Sequence, residues 1–413
     1  MASIKDLGNG KFKVTISAGF DETGKRKRMY KTIRAKNYED AYKKAISLEN
    51  EIEHGSYIDP TKFRFLDYVK EWKENAERKL APMTLHRYCQ LLSIHILPQL
   101  GRYKLGEITP ILLERAYNNL RLQPHKRVYM QKDGTKTVKE YSLSEQTLLH
   151  IHRLVGTILQ SAYKKGLIKE NPIARTEAPQ VRKKEMECYD EEAIAELITA
   201  LGDTDTQFQA IVHIALAGGL REGEVCGLEW EDVDYQNNTI TIRQASQYIA
   251  GRGIFTKTPK NESSKRTISL PEPVMSILAK LENEKQAQKD LLGIKWQGGS
   301  IRDRDDIEEE KPNRLFTKAD GSPMYPNRVS KLWKEFVEKK GLPELTYHGL
   351  RHSSASYLIA CGQDVVSVAR RLGHSNSNTT LSTYAHAFKK RDVAAAIEMN
   401  KLYQPKKEKQ KKE

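Results

Sequence analysis

The chain has 413 residues and carries 69 Lys plus Arg against 54 Asp plus Glu, a formal charge of +15. With 38% hydrophobic and 30% charged residues, the composition suits a soluble globular protein, and the length exceeds one ordinary core, so two or three domains are expected. No apolar run approaches the ~18 residues of a membrane span, and the N-terminal stretch "MASIKDLGNGKFKV" lacks the apolar centre of a signal peptide. Cys89, Cys188, Cys226 and Cys361 lie far apart with no CxxC pair, which excludes a disulfide framework and a cysteine zinc site at the level of pattern and suits a reducing cytosol. The positive excess attracts a polyanion. Nucleic acid is the candidate, ahead of anionic lipid, since no basic amphipathic helix stands out; a protein that is merely basic is the plainer alternative.

In the first region, residues 1–56, Phe12, Val14 and Ile16 alternate with polar residues at the period of a half-buried strand. "DETG" at 21–24 supplies a turn, and Lys25, Arg26, Lys27 and Arg28 lie beside it on the returning strand. A helix follows, capped by Asn37, striped by Ala41, Ala45, Leu48 and Ile52, and ended by Gly55. So small a unit has little core and is expected to lean on a partner or on DNA.

The second region, 63–175, reads as a helical bundle. Phe65, Tyr68, Val69 and Trp72 start one helix; Leu85, Tyr88, Leu92 and Ile96 mark another, stopped by Pro98 and Gly101; a third lies around 109–118. The polar, basic segment 125–140, broken by Asp133-Gly134, is a hairpin or loop insertion. A long helix then carries Leu148, Ile151, Val155, Ile158 and Ala162 on one face and ends at Gly166.

After an extended basic linker at 174–186, the third region, 187–400, mixes helices with a short antiparallel sheet. Asp190 caps a helix carrying Ala193, Ile194, Leu197 and Ile198. Gln209–Ala217 forms a buried helix, "TITI" at 239–242 and "RTISL" at 266–270 are strands, and 288–314 is a surface excursion. The final segment, 401–413, holds six lysines against two glutamates and is a basic flexible tail.

Four short segments of the third region hold the chemistry. In "AGGLREGEVCGLEWEDVD", Arg221 precedes an apolar helix pattern (Val225, Leu228, Trp230), with Glu224 one turn on; such a pair at a helix start is by itself ordinarily structural. "TKTPKNESSKRTISLP" puts Lys260 in a turn before a strand, which alone reads as a basic surface hairpin. In "YHGLRHSSASYLIACG", His348 and Arg351 share a helical face with His352 next to them; an imidazole beside a guanidinium suggests phosphate binding. In "RLGHSNSNTTLSTYAHAF", His374 precedes Tyr384 by ten residues. That tyrosine is either plain core or a nucleophile that needs help, since a free phenol has a pKa of ~10.

Taken in order, Arg221, Lys260, His348-x-x-Arg351, His374 and Tyr384 resemble the catalytic set of the tyrosine recombinase (phage-type integrase) family. "GGLREGE" resembles its first arginine box, "PKNESSKRTISLP" its lysine hairpin, "HGLRH" its second box, and "LGH…TTLSTYAH" its last histidine and nucleophile segment. The resemblance implies a multidomain fold: a small three-stranded sheet plus helix that binds arm sites (1–56), a helical core-site-binding bundle (63–175), and a mainly α, mixed α+β catalytic domain (187–400). The first region looks like that of integrases from Gram-positive phages and integrative conjugative elements. The polar stretch before Leu315 and the insertion at 125–140 are departures of length.

By the same resemblance, Tyr384 attacks a DNA phosphorus to give a 3′-phosphotyrosine and a free 5′-hydroxyl. Arg221 and Arg351 would grip the nonbridging oxygens, Lys260 would protonate the leaving oxygen, His348 would take and return the tyrosyl proton, and His374 would position the phosphate. Glu224 would orient the first box. The bond energy stays in the phosphotyrosine, so neither ATP nor a metal is expected, and no cofactor. The implied partners are double-stranded DNA at core and arm sites, a homo-tetramer passing through a Holliday junction, and an excision helper or host DNA-bending protein. A helical pattern at Val393, Ala396 and Ile397 resembles a helix that docks on a neighbouring protomer, or else folds back on its own domain. Lys25, Arg26, Lys27 and Arg28 would enter a groove as a β-ribbon, and Thr84, Arg87 and Gln90 would enter the major groove on a helix. A chromosome dimer resolvase and a non-catalytic DNA-binding regulator on this fold are the competing readings. The N-terminal domain argues against the first, and the complete set of six residues against the second.

Overall fold

Alternation of apolar and charged residues shapes the start of the chain. A computed structural model describes residues 3–20, 26–53, 63–130, 135–182, 187–257, 265–297, 313–374, 380–381, 396, 399–400 and 403. It divides into two compact units, Met1–Lys183 and Lys184–Glu413.

In the first unit, β1 (Ser3–Asp6), β2 (Lys11–Phe20) and β3 (Arg26–Arg34) form an antiparallel sheet in the order β1-β2-β3. Phe12, Val14 and Ile16 are buried against α1 (Tyr38–Glu53) through Ala41 and Ala45. The Asn37 side chain accepts from the Asp40 N–H at 2.9 Å, the cap expected from sequence. The third strand, β1, left no apolar alternation to read. Lys25 and Gly55 lie outside the described residues.

The helical part of this unit runs α2 (Phe65–Glu77), α3 (Pro82–Leu91), a π turn (Leu92–Ile96), α4 (Leu97–Leu100), α5 (Pro110–Leu122), the antiparallel hairpin of β4 (His125–Met130) and β5 (Lys136–Tyr141), and α6 (Glu145–Lys164). Its core joins Phe65, Tyr68 and Trp72 to Leu148, Ile151, Val155 and Ile158; each such side chain contributes roughly 1.5–3 kcal/mol by leaving water. Pro98 does not stop its helix, contrary to the sequence expectation. The Leu97 N–H bonds to the Leu92 carbonyl, five residues back, so the extra residue of the π turn lets the helix run past a proline that has no N–H. Gly101 ends it.

The second unit opens with α7 (Glu191–Leu201), capped by Asp190, then α8 (Thr206–Gly218) and α9 (Glu222–Gly227). The strands β6 (Val233–Asp234), β7 (Thr239–Ile242), β8 (Ala245–Ile249), β9 (Gly253–Lys257) and β10 (Arg266–Ser269) make a three-stranded antiparallel sheet, β10-β7-β6, and a separate β8–β9 hairpin. Helices α10 (Glu272–Leu292), α11 (Pro326–Lys340), α12 (Tyr347–Ala360) and α13 (Val365–Leu372) follow. The apolar α8 lies in the core with Ile240, Ile268, Leu278, Trp333 and Tyr347.

Two segments differ from the sequence expectation. α9 is six residues long, and Trp230 sits in the 3₁₀ turn that follows it. The stretch 288–314 is not a single excursion: α10 continues to Leu292, and Arg314 is 4% exposed, paired with Glu229 at 3.3 Å. Residues 298–312 lie outside the described residues.

Candidate active site

The site forms where three chain reversals meet. α8 ends at Gly219, whose φ of +65° is a conformation glycine adopts without steric cost, so the chain turns and Arg221 becomes the first flanking residue of α9. From that position Glu224 reaches back: it accepts from the Arg221 backbone N–H at 2.9 Å and from Arg221 Nη1 at 2.8 Å. The opposite side of the same carboxylate meets Arg266 of β10, with Nη2 to Oε2 at 2.8 Å and Nη1 to Oε1 at 3.2 Å. Burial alone would raise the Glu224 pKa, but the Arg266 hydrogen bonds and charge, then the Arg221 charge, hold it at about 2. Glu224 is therefore a fixed anion that orients two arginines.

Arg351 sits on α12, 2% exposed, its guanidinium aimed by two carbonyls: Nη1 donates to Gly219 O at 2.6 Å and Nη2 to Leu372 O at 2.7 Å. Arg221 Nη1 reaches the same Leu372 carbonyl at 3.5 Å. Leu372 is the last residue of α13, where the helix dipole presents its negative end, so one carbonyl gathers the arginines of two distant boxes.

Three imidazoles surround them. The His348 and His352 rings, one turn apart on α12, stand edge to face at 4.7 Å. Burial and the charges of Arg351 and Arg221 lower the His348 pKa; burial, His348, Arg351 and His374 bring His352 to about 4. His374 follows Gly373, which ends α13 with φ +66°, and its Nδ1 lies 2.8 Å from Thr380 Oγ1. Burial and then Arg351, Arg221 and Arg266 bring His374 to about 4. All three rings are thus neutral near pH 7. A neutral His374 that accepts the Thr380 hydroxyl at Nδ1 carries its own proton on Nε2, a donor for an anionic oxygen.

The structure therefore brings together Arg221, Glu224, His348, Arg351 and His374. Lys260 and Tyr384 lie outside the described residues, as do most of the segment after Tyr384 and nearly all of the tail. Arg26, Lys27 and Arg28 are on β3, and Thr84, Arg87 and Gln90 on α3, in the first unit; Arg87 and Gln90 are exposed. Sequence reasoning missed Arg266, which besides holding Glu224 donates from Nε to the Arg371 carbonyl at 2.7 Å. It also missed Arg371, which ties α13 to Ala217 O at 2.8 Å and Ser269 O at 2.9 Å, and Thr380. A cleft of about 800 Å³ between β10 and α13, lined by Lys265, Arg370, Arg371 and His374, adjoins the site. Among the described residues no group of three or more His, Cys, Asp or Glu is placed to hold a metal ion, and no helix is long and apolar enough to cross a membrane.

Two family models match the chain: the phage integrase family over residues 187–391, and the phage integrase N-terminal SAM-like domain over residues 64–121. A tyrosine recombinase XerC-like protein of Caldanaerobacter subterraneus subsp. tengcongensis is 26% identical, the alignment covering 96% of this chain and 97% of that one. The ICEBs1 integrase of Bacillus subtilis is 24% identical over 97% of this chain and 100% of its own. Among solved structures, the Tn1549 transposon integrase in complex with transposon right end DNA superposes with a TM-score of 0.62 at 20% identity, covering 83% of this chain and 100% of that one.

Proposed function

Because this chain belongs to the phage integrase family of tyrosine recombinases, we propose that it is a site-specific DNA recombinase that integrates and excises a mobile element through a 3′-phosphotyrosine intermediate. The observation that carries this reading is the convergence of Arg221 and Arg351 on the Leu372 carbonyl, flanked by neutral His348 and His374. That arrangement suits a phosphodiester. Two guanidinium forks, fixed before substrate arrives, stabilise the charge that grows on nonbridging oxygens without reorganising in the transition state. His374 donates from Nε2 to one of these oxygens. His348, neutral near pH 7, accepts the proton of the attacking phenol and returns it on religation.

In this reading Tyr384 supplies the nucleophile. The P–O bond to tyrosine forms as the bond to the 5′-oxygen breaks, and Lys260 protonates that leaving oxygen. Each transesterification conserves one phosphodiester, so the reverse reaction, with a 5′-hydroxyl from a second duplex, rejoins the strand. Exchange of both strands between two duplexes requires four active sites, hence a tetramer of this chain on synapsed DNA and a Holliday junction between the two exchanges. The sheet of β1–β3 with Arg26, Lys27 and Arg28 is assigned to flanking arm sites, and α3 with Thr84, Arg87 and Gln90 to the core site. An excision helper or a DNA-bending protein would complete the assembly in the bacterial cytosol.

The test is a nicked suicide duplex carrying the end junction of the mobile element. The full chain should form a covalent adduct that a protease, but no chelator, abolishes. A protein that binds this duplex and never forms an adduct is a regulator, and the reading fails.

A further inference from the structure

The β4–β5 hairpin interrupts the helical bundle, and among the described residues none of its side chains joins the bundle's apolar core. Its sequence, residues 125–141, holds five basic residues against two acidic ones. The register gives the two faces different characters. On one, Lys126 pairs with Glu140 at 3.5 Å beside the exposed Val128 and Val138, which lie opposite each other. On the other, the register sets Arg127 directly opposite Lys139, and Tyr129 shares this face, the Lys139 ammonium lying 6.0 Å from the Tyr129 ring centroid. Two basic residues set across from each other in register give this face a positive character that suits an anion.

The hairpin's base shows which way that face looks. His125, on the same face as Arg127 and Tyr129 by strand alternation, packs edge to face against the buried His95 at 4.9 Å and bonds the Leu120 carbonyl at 3.0 Å. His95 lies in the π turn that continues α3, eight residues beyond Arg87, hence roughly 12 Å along the helix axis at 1.5 Å per residue. The six-residue strands then extend the surface by about 20 Å at ~3.4 Å per residue. A two-stranded ribbon of that size fits along a DNA groove or backbone.

We propose that the Arg127–Lys139–Tyr129 face of this hairpin is a second DNA-contacting surface of the first unit, which grips duplex phosphates beside the segment read by α3. It rests on the recombinase reading for the identity of the polyanion. The contact is with the backbone, so it adds affinity and footprint length without adding sequence preference.

The test uses the full chain and a mixed-sequence duplex of about four helical turns, ~40 base pairs, followed by fluorescence anisotropy at several salt concentrations. In the double variant Arg127→Ala/Lys139→Ala, the slope of log K against log salt should fall by about 2, near 0.9 for each phosphate the protein no longer neutralises. Both positions lie on a hairpin outside the core, so misfolding is a minor concern, and circular dichroism checks it. Val128→Ser/Val138→Ser, on the opposite face, should leave the slope unchanged. An unchanged slope in the Arg127/Lys139 variant overturns the proposal, as does a loss confined to the valine variant, which would mark a protein-binding face. If the wild type forms the suicide adduct but the hairpin variants bind alike, this inference alone fails. If the wild type binds duplex yet forms no adduct, the recombinase reading fails on its own.

Discussion

Arg266 and Glu224, 42 residues apart in sequence, meet as a buried two-point ion pair, Nη2 to Oε2 at 2.8 Å and Nη1 to Oε1 at 3.2 Å. Arg221 sits on the outer side of that carboxylate, and the Arg371 carbonyl accepts from Arg266 Nε. The pair therefore ties β10, α9 and the end of α13 into one block, against which Arg351 and His374 are set.

This pair makes the second unit acid-sensitive. The Glu224 pKa in the fold is about 2, below its ordinary value of 4.5, so its contribution is complete above about pH 4.5 and is lost as pH falls toward 2. The depression corresponds to about 3 kcal/mol, at 1.36 kcal/mol per pKa unit. Urea unfolding, read from tryptophan emission in a Trp72→Phe background, should show stability falling over that window. In Glu224→Gln it should be lower at neutral pH and nearly flat across the window. An equally steep acid limb in Glu224→Gln would mean that another group carries it.

Gly373 meets Arg266 so closely that a Cβ there would lie 2.7 Å from Nη1, on a backbone at φ +66°. Gly373→Ala should cost at least 1–2 kcal/mol from the left-handed backbone alone and should slow cleavage by displacing His374. DNA affinity measured by anisotropy should change little.

Much of this block was hidden from the sequence. Helices announced by stripes and caps were legible: Asn37, Asp190 and the Leu148–Ala162 face all stand where periodicity put them. Arg221, Glu224, His348, Arg351 and His374 were legible as a set only through the family resemblance, since local spacing alone reads the Arg221–Glu224 pair as structural. Arg266 was not, since an arginine opening the strand "RTISL" reads as a solvated residue until its partner 42 positions away is known. The π turn before Pro98 escaped for a related reason: proline signals a break locally, and only packing of Leu92, Ile96 and Leu100 into one core keeps the helix going. The lysine turn and Tyr384 were legible as motifs alone.

Arg351 offers the sharpest separation of binding from catalysis. Arg351→Lys keeps the charge but loses the fork that bonds both Gly219 O and Leu372 O. Cleavage of a suicide substrate should fall by about 10²–10³, the usual cost of removing one donor from a transition-state oxyanion site, with duplex affinity within about threefold. Equal losses in both would reduce Arg351 to a backbone clamp.

The histidines give a spectroscopic check. In the free protein, NMR titration should find His374 and His352 changing charge near pH 4 and His348 below its ordinary value of 6.5. Their neutral forms stabilise the fold, so this contribution is full above about pH 6.5 and fades as pH drops toward 4. Binding of a DNA phosphate should raise the His374 value, because a nearby anion favours the imidazolium. A value unmoved by DNA would place His374 away from the scissile phosphate.

Lys260 is assigned the proton for the leaving oxygen. Lys260→Ala should slow cleavage of an ordinary duplex by about 10²–10⁴. A bridging 5′-phosphorothiolate, whose thiolate leaves without protonation, should restore most of the rate. Failure of that substrate to rescue would remove Lys260 from the acid role.

The central claim is that Tyr384 attacks a phosphate held by Arg221 and Arg351. Its most direct test is peptide mapping by mass spectrometry of the adduct trapped on a nicked substrate. A single peptide spanning Tyr384, with DNA attached through a 3′-phosphate, is the expected product, and none from Tyr384→Phe. Linkage at another residue, or an equal yield of adduct from Tyr384→Phe, would contradict it.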